Sequence, residues 1–550
     1  MKIATRENFI LDPMRATLGL LLQPLILVGL TLQPMLPQPG RNVDQVSFSN
    51  SVSAATQKIF LHGLAQLHDF EYETAADDFR QAQGIDPTFC MAYWGEAMSY
   101  NEPLWGPQNQ MAAQAALKKL GNTETERLAK CGTERERDYL RSIDILYFSA
   151  GTKYERDFKY LDAMAALYKK YPDDVDAGAF YALAILGTAH FGRDVVIYMR
   201  ALAVLEPLFF SHSDHPGVNH YLIHCVDDPV HAPLGLAAAR NYSKIAIDAP
   251  HAQHMTSHIF MALGMWDDVV TANLTAIRIQ DERDRRKGRT LESCGHYTSW
   301  LEYGYLQQGR FGEAKRVVEK CRDAATAAAS SAKPRYIEDI AFYGGMRSRY
   351  LLDAEEWNGD VAHWAVSPTS DYQGDIAASF AFADGFSAIR RGDLKAALKA
   401  GEALKAADKA ENSRPLLPGA SPTPRMKRAS ILRQELDAMI DVAEGSPDQA
   451  IAILHDASAK EASIELEYGP PFIDKPADEL LGEVLLETGR AYEAQAAFKA
   501  SLARAPERTQ SLVGLSRALK AAGDASSSAA IDEKLQTIWH NADQVPGADH

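Results

Sequence analysis

The feature that most constrains the fold of this chain is a recurring pair of short amphipathic helices. From residue 55 onward, small and apolar residues recur with the period of about 3.6 that is typical of helices, and few stretches alternate at period two. Glycine, Asp-Pro or asparagine separates the segments. One pair is expected over residues 57–68 and 72–83, and another over 479–488 and 494–503. The pattern predicts an all-α protein built from stacked helix pairs.

These pairs resemble the tetratricopeptide repeat, a helix–turn–helix unit of about 34 residues. The resemblance is carried by small residues in the first helix, Gly489 at a tight turn, Ala497-Phe498 in the second helix and Pro506 after it. It extends over most of residues 57–525. It implies a right-handed superhelix, an α-solenoid of such pairs, and by itself implies no activity.

The sequence divides into five predicted segments. Residues 1–54 are a signal peptide or membrane anchor with a linker, and residues 55–411 form an N-terminal repeat array with histidine-rich central repeats. Residues 412–426 are a proline-rich linker, residues 427–540 form a C-terminal array, and residues 541–550 are a disordered tail.

The first segment predicts export. Met14-Arg15 precedes an uncharged, mostly apolar run from Ala16 to about Met35, which is typical of a secretory signal. The run approaches the ~20 residues that span a bilayer, so an uncleaved anchor is the alternative. Val52-Ser53-Ala54 fits the small-residue pattern of a cleavage site. We expect a periplasmic or extracellular protein that contacts a membrane only through a possible anchor.

Charge and cysteine usage exclude several classes of protein. The formal net charge of −16 argues against nucleic acid or anionic lipid as the main partner, because both need clustered basic surface. Five scattered cysteines, an odd number without a CxxC pair, argue against a disulfide framework, a zinc ribbon and a CxxCH haem site. The chain also lacks a phosphate-binding P-loop, a GxGxxG fingerprint and a GxSxG elbow.

Two pairs of histidines recur at the spacing of the repeat. The motif P-xxx-H-xxx-H occurs twice, as Pro216-His220-His224 and as Pro250-His254-His258. Each residue of the second copy follows its counterpart by 34 positions, which is the repeat period. Residues four apart share one face of a helix, and proline favours the first turn. We therefore expect four imidazoles in a two-by-two grid on the inner wall of the superhelix.

The grid predicts a transition-metal site for Zn, Fe or Cu, because neutral imidazole is a common ligand of these metals. His296, at the start of a later first helix, is a fifth candidate ligand, and His215, His231 and His251 lie nearby. Candidate general bases are Asp227, Asp228 and Glu96. Neither histidine pair is HExxH, so the zincin mechanism is excluded.

Two other interpretations of the grid stay open. The histidines could be hydrogen-bonded packing residues, as we expect for His62, His68, His190 and His363. They could also form a metal-free site that binds a ligand or handles protons.

Two aromatic segments could border the grid. We expect residues 93–105 to form an aromatic core cluster of the first repeats, with lining of the cavity as the alternative. We expect residues 467–476 to be an inter-repeat loop, with closure of the groove as the alternative.

The segments 93–98, 215–236 and 251–269 resemble a group of bacterial tetratricopeptide proteins with a histidine-rich central segment. In that group position 102 is often histidine, whereas this chain has Glu102. The resemblance implies the fold and no particular activity.

Three functions follow as hypotheses. The first is an exported binding protein whose concave groove holds a protein, peptide or small-molecule ligand beside a histidine-rich metal or ligand site. The second is a metal-dependent hydrolase or oxidoreductase that uses the same histidines. The third is a metal-free scaffold for protein–protein interaction.

Overall fold

The computed structural model describes residues 46–291, 293–331, 336–364, 374–416, 422–466 and 468–543. These residues form 24 α-helices and one short 3₁₀ helix, and they contain no strand beyond an isolated bridge between Asn101 and Gln108. The prediction of an all-α protein is confirmed. No helix in the described ranges has both the length and the apolar character needed to cross a bilayer. The apolar run of the predicted signal, the middle of the predicted linker and most of the predicted tail lie outside the described residues.

The first twelve helices run as follows: α1 Ala54–His68, α2 Tyr72–Ile85, α3 Cys90–Met98, α4 Gln110–Leu120, α5 Glu124–Leu128, α6 Glu134–Phe148, α7 Lys153–Lys170, α8 Val175–Leu186, α9 Val195–Ser211, α10 Pro216–Val226, α11 Ala232–Ile245 and α12 Pro250–Ala262. The next twelve are α13 Trp266–Arg286, α14 His296–Gln307, α15 Phe311–Ser331, α16 Tyr336–Ala354, α17 Asp375–Arg390, α18 Leu394–Asn412, α19 Pro424–Ala443, α20 Pro447–Ala462, α21 Ala477–Glu487, α22 Ala491–Arg504, α23 Thr509–Ala521 and α24 Ala525–Ile538. The 3₁₀ helix is Asp360–His363.

Neighbouring helices pack as the repeat predicts. Consecutive helices contact each other along the chain, including α18 and α19 on either side of the proline-rich stretch. Several alternate helices also contact each other: α8 packs on α10 and α10 on α12, and α17, α19, α21 and α23 form another such row. The first helices of successive pairs therefore form an inner layer, and the structure is an all-α superhelix of helix pairs.

Glycine in the first helices allows the close approach that the repeat requires. Gly63 and Gly95 lie on either side of the Phe79 ring, and a Cβ atom at Gly95 would overlap that ring. Gly482 and Gly514 flank Phe498 in the same way near the other end. The small residue and the phenylalanine of the repeat pattern thus pack directly against each other.

Long-range contacts bring distant pairs together around the centre of the chain. Helix α1 packs on α10. The fully buried Arg508 donates to Asp353 at 2.6 Å and to Glu479 at 2.8 Å, which joins the ends of α16 and α23 to α21. The Trp539 indole donates to the carbonyl of Gln307 at 3.1 Å. The C-terminal pairs are therefore fastened to the middle of the array by buried polar contacts.

The described structure contains two disulfides, so the prediction from the cysteine count that excluded a disulfide framework is wrong. Cys90 pairs with Cys131, and Cys294 pairs with Cys321. The odd cysteine, Cys225, is buried in the core as a free thiol. The paired cysteines are 41 and 27 residues apart, with helices between them, so no local sequence spacing predicts the pairing.

The segment before α1 belongs to the core. Phe48 is buried and its ring contacts those of Phe60 and Tyr139. Cleavage after Ala54 would remove this core residue.

Substitution of Gly95 by alanine tests the close approach of the helix pairs. Because the added Cβ overlaps the Phe79 ring, we expect the free energy of unfolding to fall by about 1–3 kcal/mol, the usual cost of overpacking. The matched control is Gly84→Ala, since a Cβ there meets nothing within 4 Å. Denaturant unfolding should show an unchanged or slightly raised stability for Gly84→Ala. Equal stability of the two variants would contradict the account.

His62 predicts a pH-dependent contribution to stability. Its Nδ1 pairs with Asp78 on α2, and its Nε2 lies 3.7 Å from Asp248, just before α12. Burial opposes the charged ring, but the two carboxylates outweigh it and raise the pKa from 6.5 to about 9. A pKa raised by folding gives stability that is complete below pH 6.5 and is lost as the pH rises through 9.

We expect wild type to exceed His62→Gln in unfolding free energy by up to ~3 kcal/mol near pH 6, and by much less near pH 10. His455→Gln, at an exposed position, is the control and should behave like wild type at both pH values. A difference that does not change with pH would rule out the charged pairing of His62.

Candidate metal centre

The grid histidines lie on adjacent inner helices, as their spacing predicts. Pro216 and Pro250 occupy the first turns of α10 and α12, so the two motifs start at equivalent points of neighbouring repeats. All four grid imidazoles, those of His220, His224, His254 and His258, are buried. His296 is the first residue of α14, and its ring centroid lies 4.5 Å from that of His254.

The Nδ1 atoms of three grid histidines are hydrogen-bonded to an acceptor, and that of His224 lies beside a carboxylate oxygen. The His220 Nδ1 lies 2.6 Å from the backbone carbonyl oxygen of His68, and the His254 Nδ1 lies 2.7 Å from the Asn273 Oδ1. Asn273 is itself oriented, because its Nδ2 donates to the carbonyl of Val269 at 2.9 Å.

One carboxylate serves the other two rings. The Oδ2 of Asp227 lies 3.0 Å from the His258 Nδ1 and 3.3 Å from the His224 Nδ1. Since carbonyl and carboxylate oxygens only accept, the neutral form of each ring carries its proton on Nδ1. Their Nε2 atoms are therefore bare lone pairs.

These lone pairs have no protein donor. The buried Nε2 atoms of His220, His224 and His251 have no hydrogen-bond partner in the described structure. The Nε2 atoms of His254 and His258 face each other at 3.2 Å. With both protons on Nδ1, no proton lies between these two nitrogens, and their lone pairs face each other as those of two ligands of one metal ion do. Two nitrogen ligands of a tetrahedral metal with bonds of 2.0–2.1 Å are about 3.3 Å apart, which is close to this separation.

Burial keeps the rings neutral. It lowers the pKa of His220, His251 and His254 well below the ordinary 6.5, and the neighbouring imidazoles lower it further. The pKa of His258 is lowered less, because Asp227 favours its charged form. His296 is exposed, and its pKa is lowered by partial desolvation and by the neighbouring His258. Neutral imidazole is the form that binds metals.

The histidines fall into two sets of three. The first triad is His220, His224 and His251, and the second triad is His254, His258 and His296. Within each triad one nitrogen of every ring lies within 4.8 Å of those of the other two. Both triads could hold a metal through three imidazoles.

Aromatic rings surround the triads. The His258 ring is stacked between Trp300, at 4.5 Å, and Tyr468, at 4.6 Å. Phe70 has a left-handed φ of 57°, which is unusual for a bulky residue, and its ring lies 4.3 Å from His220. Strained backbone of this kind gathers at functional sites.

A pocket of about 370 Å³ opens beside the second triad. Its lining residues are Trp105, His251, His258, Gln280, His296, Tyr297 and Tyr468. Within the described ranges, residues 93–105 are divided: Trp94 is a core residue, as expected, whereas Trp105 lines the pocket. Residues 468–476 lie in the loop between α20 and α21, as expected, and the Tyr468 ring of this loop also stacks on His258, with 4.6 Å between the ring centroids.

The candidate bases have structural partners. Asp227 also accepts from the Arg193 Nη1 at 2.5 Å, and Asp228 accepts from the Arg193 Nη2 at 2.9 Å. Burial opposes the ionisation of Asp227, but Arg193 and the two histidines outweigh it and hold its pKa well below its usual range. Asp227 therefore orients ligands, and it is too weak a base to take a proton at neutral pH.

Glu96 is not brought to the histidines. Its carboxylate accepts from Gln83 at 2.7 Å and lies 3.4 Å from the Lys119 Nζ, on the side of α3 that faces α2 and α4. It forms a local ion pair between the first repeats.

A further group, His68, Asp176 and His215, differs from the two triads because it is closed. Asp176 Oδ1 lies 3.0 Å from the His68 Nε2 and 3.2 Å from the His215 Nε2, and the other ring nitrogens have partners as well. His68 and His215 thus behave as core histidines. The group fixes the backbone of His68, whose carbonyl anchors His220.

Sequence reasoning missed several supporting residues. Trp300 had a signal, because it follows His296 by four positions, where the earlier motifs have their second histidine. No sequence signal pointed to Asn273, Arg193 or Phe70, because each reaches the site from outside the motif through tertiary packing.

No protein-family model matches this chain, and no curated protein matches it. Solved structures that align with it are repeat proteins. Yeast Tom70 has 11% identity over 88% of this chain and 92% of that chain, with a TM-score of 0.32. The human IFIT1 dimer with m7Gppp-AAAA has 13% identity over 90% of this chain and 98% of that chain, with a TM-score of 0.35. The APC/C hetero-tetramer Cut9-Hcn1 has 12% identity over 86% of this chain and 77% of that chain, with a TM-score of 0.31. Likeness at this level carries no argument about function, which rests on the site.

Replacement of Asp227 by asparagine tests the tautomer assignment. In metal-free wild type, long-range ¹H–¹⁵N NMR should show His224 and His258 as Nδ1–H tautomers. The asparagine amide also donates, so in Asp227→Asn we expect at least one ring to become an Nε2–H tautomer. Asp268→Asn, which alters a surface pair with Arg240, should leave both rings unchanged. Nε2–H tautomers in wild type would refute the assignment.

Proposed function

We propose that this chain binds a transition metal on the inner wall of its superhelix and presents it to a small ligand in the adjoining pocket. The observation that carries the proposal is the pair of Nε2 lone pairs of His254 and His258, 3.2 Å apart with both protons held on Nδ1. Histidine ligands of metals typically donate their other ring N–H to a carboxylate or a carbonyl. All four grid histidines follow that pattern.

A metal-free scaffold fits the geometry less well. It would leave the Nε2 atoms of His220, His224 and His251 buried without partners. Each such group costs about 1–3 kcal/mol. A bound cation satisfies all of them together.

The pocket favours a small uncharged ligand. Apart from the imidazoles, its walls are Trp105, Tyr297, Tyr468 and the neutral amide of Gln280, with no carboxylate or ammonium group among the lining residues of the described structure. Aromatic walls with a few polar groups suit a planar organic molecule.

An enzyme, either a hydrolase or an oxidoreductase, is the second candidate function. Three protein ligands leave a fourth coordination position for water or substrate, which is the arrangement of catalytic sites. In the second triad that position would face the pocket. Among the described residues, the lining of this pocket includes no carboxylate, so the proton acceptor of such a reaction would be a metal-bound water or the substrate.

Export is part of the proposal. The uncharged run after Arg15 supports it, and so do the two disulfides, because disulfides persist in oxidising compartments. Cleavage before Val46 would keep the buried residues Val46 and Phe48 in the mature protein.

Elemental mass spectrometry of untagged protein tests the proposal. We expect near-stoichiometric zinc, iron or copper in wild type, and at least about a tenfold loss of bound metal in His220→Ala/His254→Ala, because the variant removes one ligand from each triad. His212→Ala is the matched control, since that histidine is exposed and bonds only to its neighbour Ser211. Wild type that stays metal-free after reconstitution with Zn²⁺, Fe²⁺ and Cu²⁺ would refute the proposal.

A further inference from the structure

We infer that the two triads form one dinuclear centre that holds a pair of copper ions, each by three imidazoles. This inference rests on the proposed metal-binding function and goes beyond it in the number and the identity of the ions.

The first argument is the distance between the triads. Ring centroids within a triad are separated by 4.9 Å for His220 and His224, and by 4.5 Å for His254 and His296. Across the triads, His224 lies 5.8 Å from His258, which is only slightly farther. The two triads therefore adjoin each other, as the two halves of a site with ions ~3.5–4 Å apart must.

The second argument is the shared support. The Oδ2 of Asp227 lies 3.3 Å from the Nδ1 of His224, in the first triad, and 3.0 Å from the Nδ1 of His258, in the second. A single buried carboxylate thus orients one ligand of each ion. This coupling makes the two triads parts of one site.

The third argument concerns charge and selects the metal. Two divalent ions would add four positive charges to a pocket of neutral imidazoles. The one carboxylate among these ligands and their anchors, Asp227, is already paired with Arg193. Monovalent copper adds only two charges. Imidazole suits copper, and cupric ion stands highest in the affinity order of the divalent metals. The oxidised pair carries the same four charges as any divalent pair, but it is the divalent pair that these ligands bind most tightly.

The fourth argument is the surrounding shell. Phe70 and Trp300 contact rings of the first and second triads, and no thiolate contributes to either. Hard cations prefer oxygen ligands, which the triads do not offer. An apolar shell around imidazoles favours ions of low charge, in agreement with copper.

The experiment is an anaerobic titration of the full chain with Cu(I) in competition with a coloured Cu(I) chelator. We expect wild type and His212→Ala to bind two ions per chain. His254→Ala/His258→Ala should bind one, because it destroys only the second triad. If that variant does not fold, as judged by circular dichroism, His296→Ala removes one second-triad ligand at the pocket edge and should weaken one of the two ions by at least about tenfold.

Electron paramagnetic resonance of the Cu²⁺-loaded protein separates a pair from two isolated ions. Two close ions should give either a half-field signal or a large loss of integrated Cu²⁺ intensity in wild type, and neither effect in the variant. One ion per chain, or two ions with full integrated intensity and no half-field signal, would overturn the dinuclear centre while leaving the proposed function in place. Preferential binding of Zn²⁺ from an equimolar mixture would overturn the choice of copper, and absence of any metal would overturn both proposals.

Discussion

The centre of this molecule depends on the hydrogen bonds that hold the Nδ1 protons of four buried histidines. Because Asp227, Asn273 and the carbonyl of His68 only accept at these positions, each ring presents its Nε2 lone pair inward. A buried lone pair without a donor is costly, and two that face each other repel. The surrounding structure holds the lone pairs together, and in the proposed function a bound metal ion would turn this cost into binding free energy.

The repeat and its exceptions contribute different parts of this arrangement. The 34-residue spacing delivers the grid, because equivalent positions on α10 and α12 are adjacent. The anchors and the cover come from elsewhere in the chain: α1 supplies the His68 carbonyl, and the segment before α21 supplies Tyr468. The buried contacts of Arg508 fasten the C-terminal pairs to the middle of the array, and such contacts let a repeat protein, whose units otherwise contact only neighbours, enclose a site.

Helical periodicity and the two P-xxx-H-xxx-H motifs were enough to predict the fold class, the helix starts at Pro216 and Pro250, and the juxtaposition of the grid histidines. Local patterns carry this information because period and spacing fix which residues share a face. The pairing of Cys90 with Cys131 could not be predicted, nor could the role of Asn273 or the displacement of Glu96 from the site. Those depend on contacts between residues far apart in the chain, for which a single sequence has no periodic signal.

Anomalous diffraction at the metal absorption edge, on crystals of metal-loaded protein, tests the central claim most directly. The account predicts anomalous density about 2.0–2.1 Å from Nε2 atoms of the triads, with the Nδ1 contacts to Asp227, Asn273 and the His68 carbonyl retained. Density beside Nδ1 atoms, density elsewhere in the chain, or grid histidines that bind only each other would contradict it.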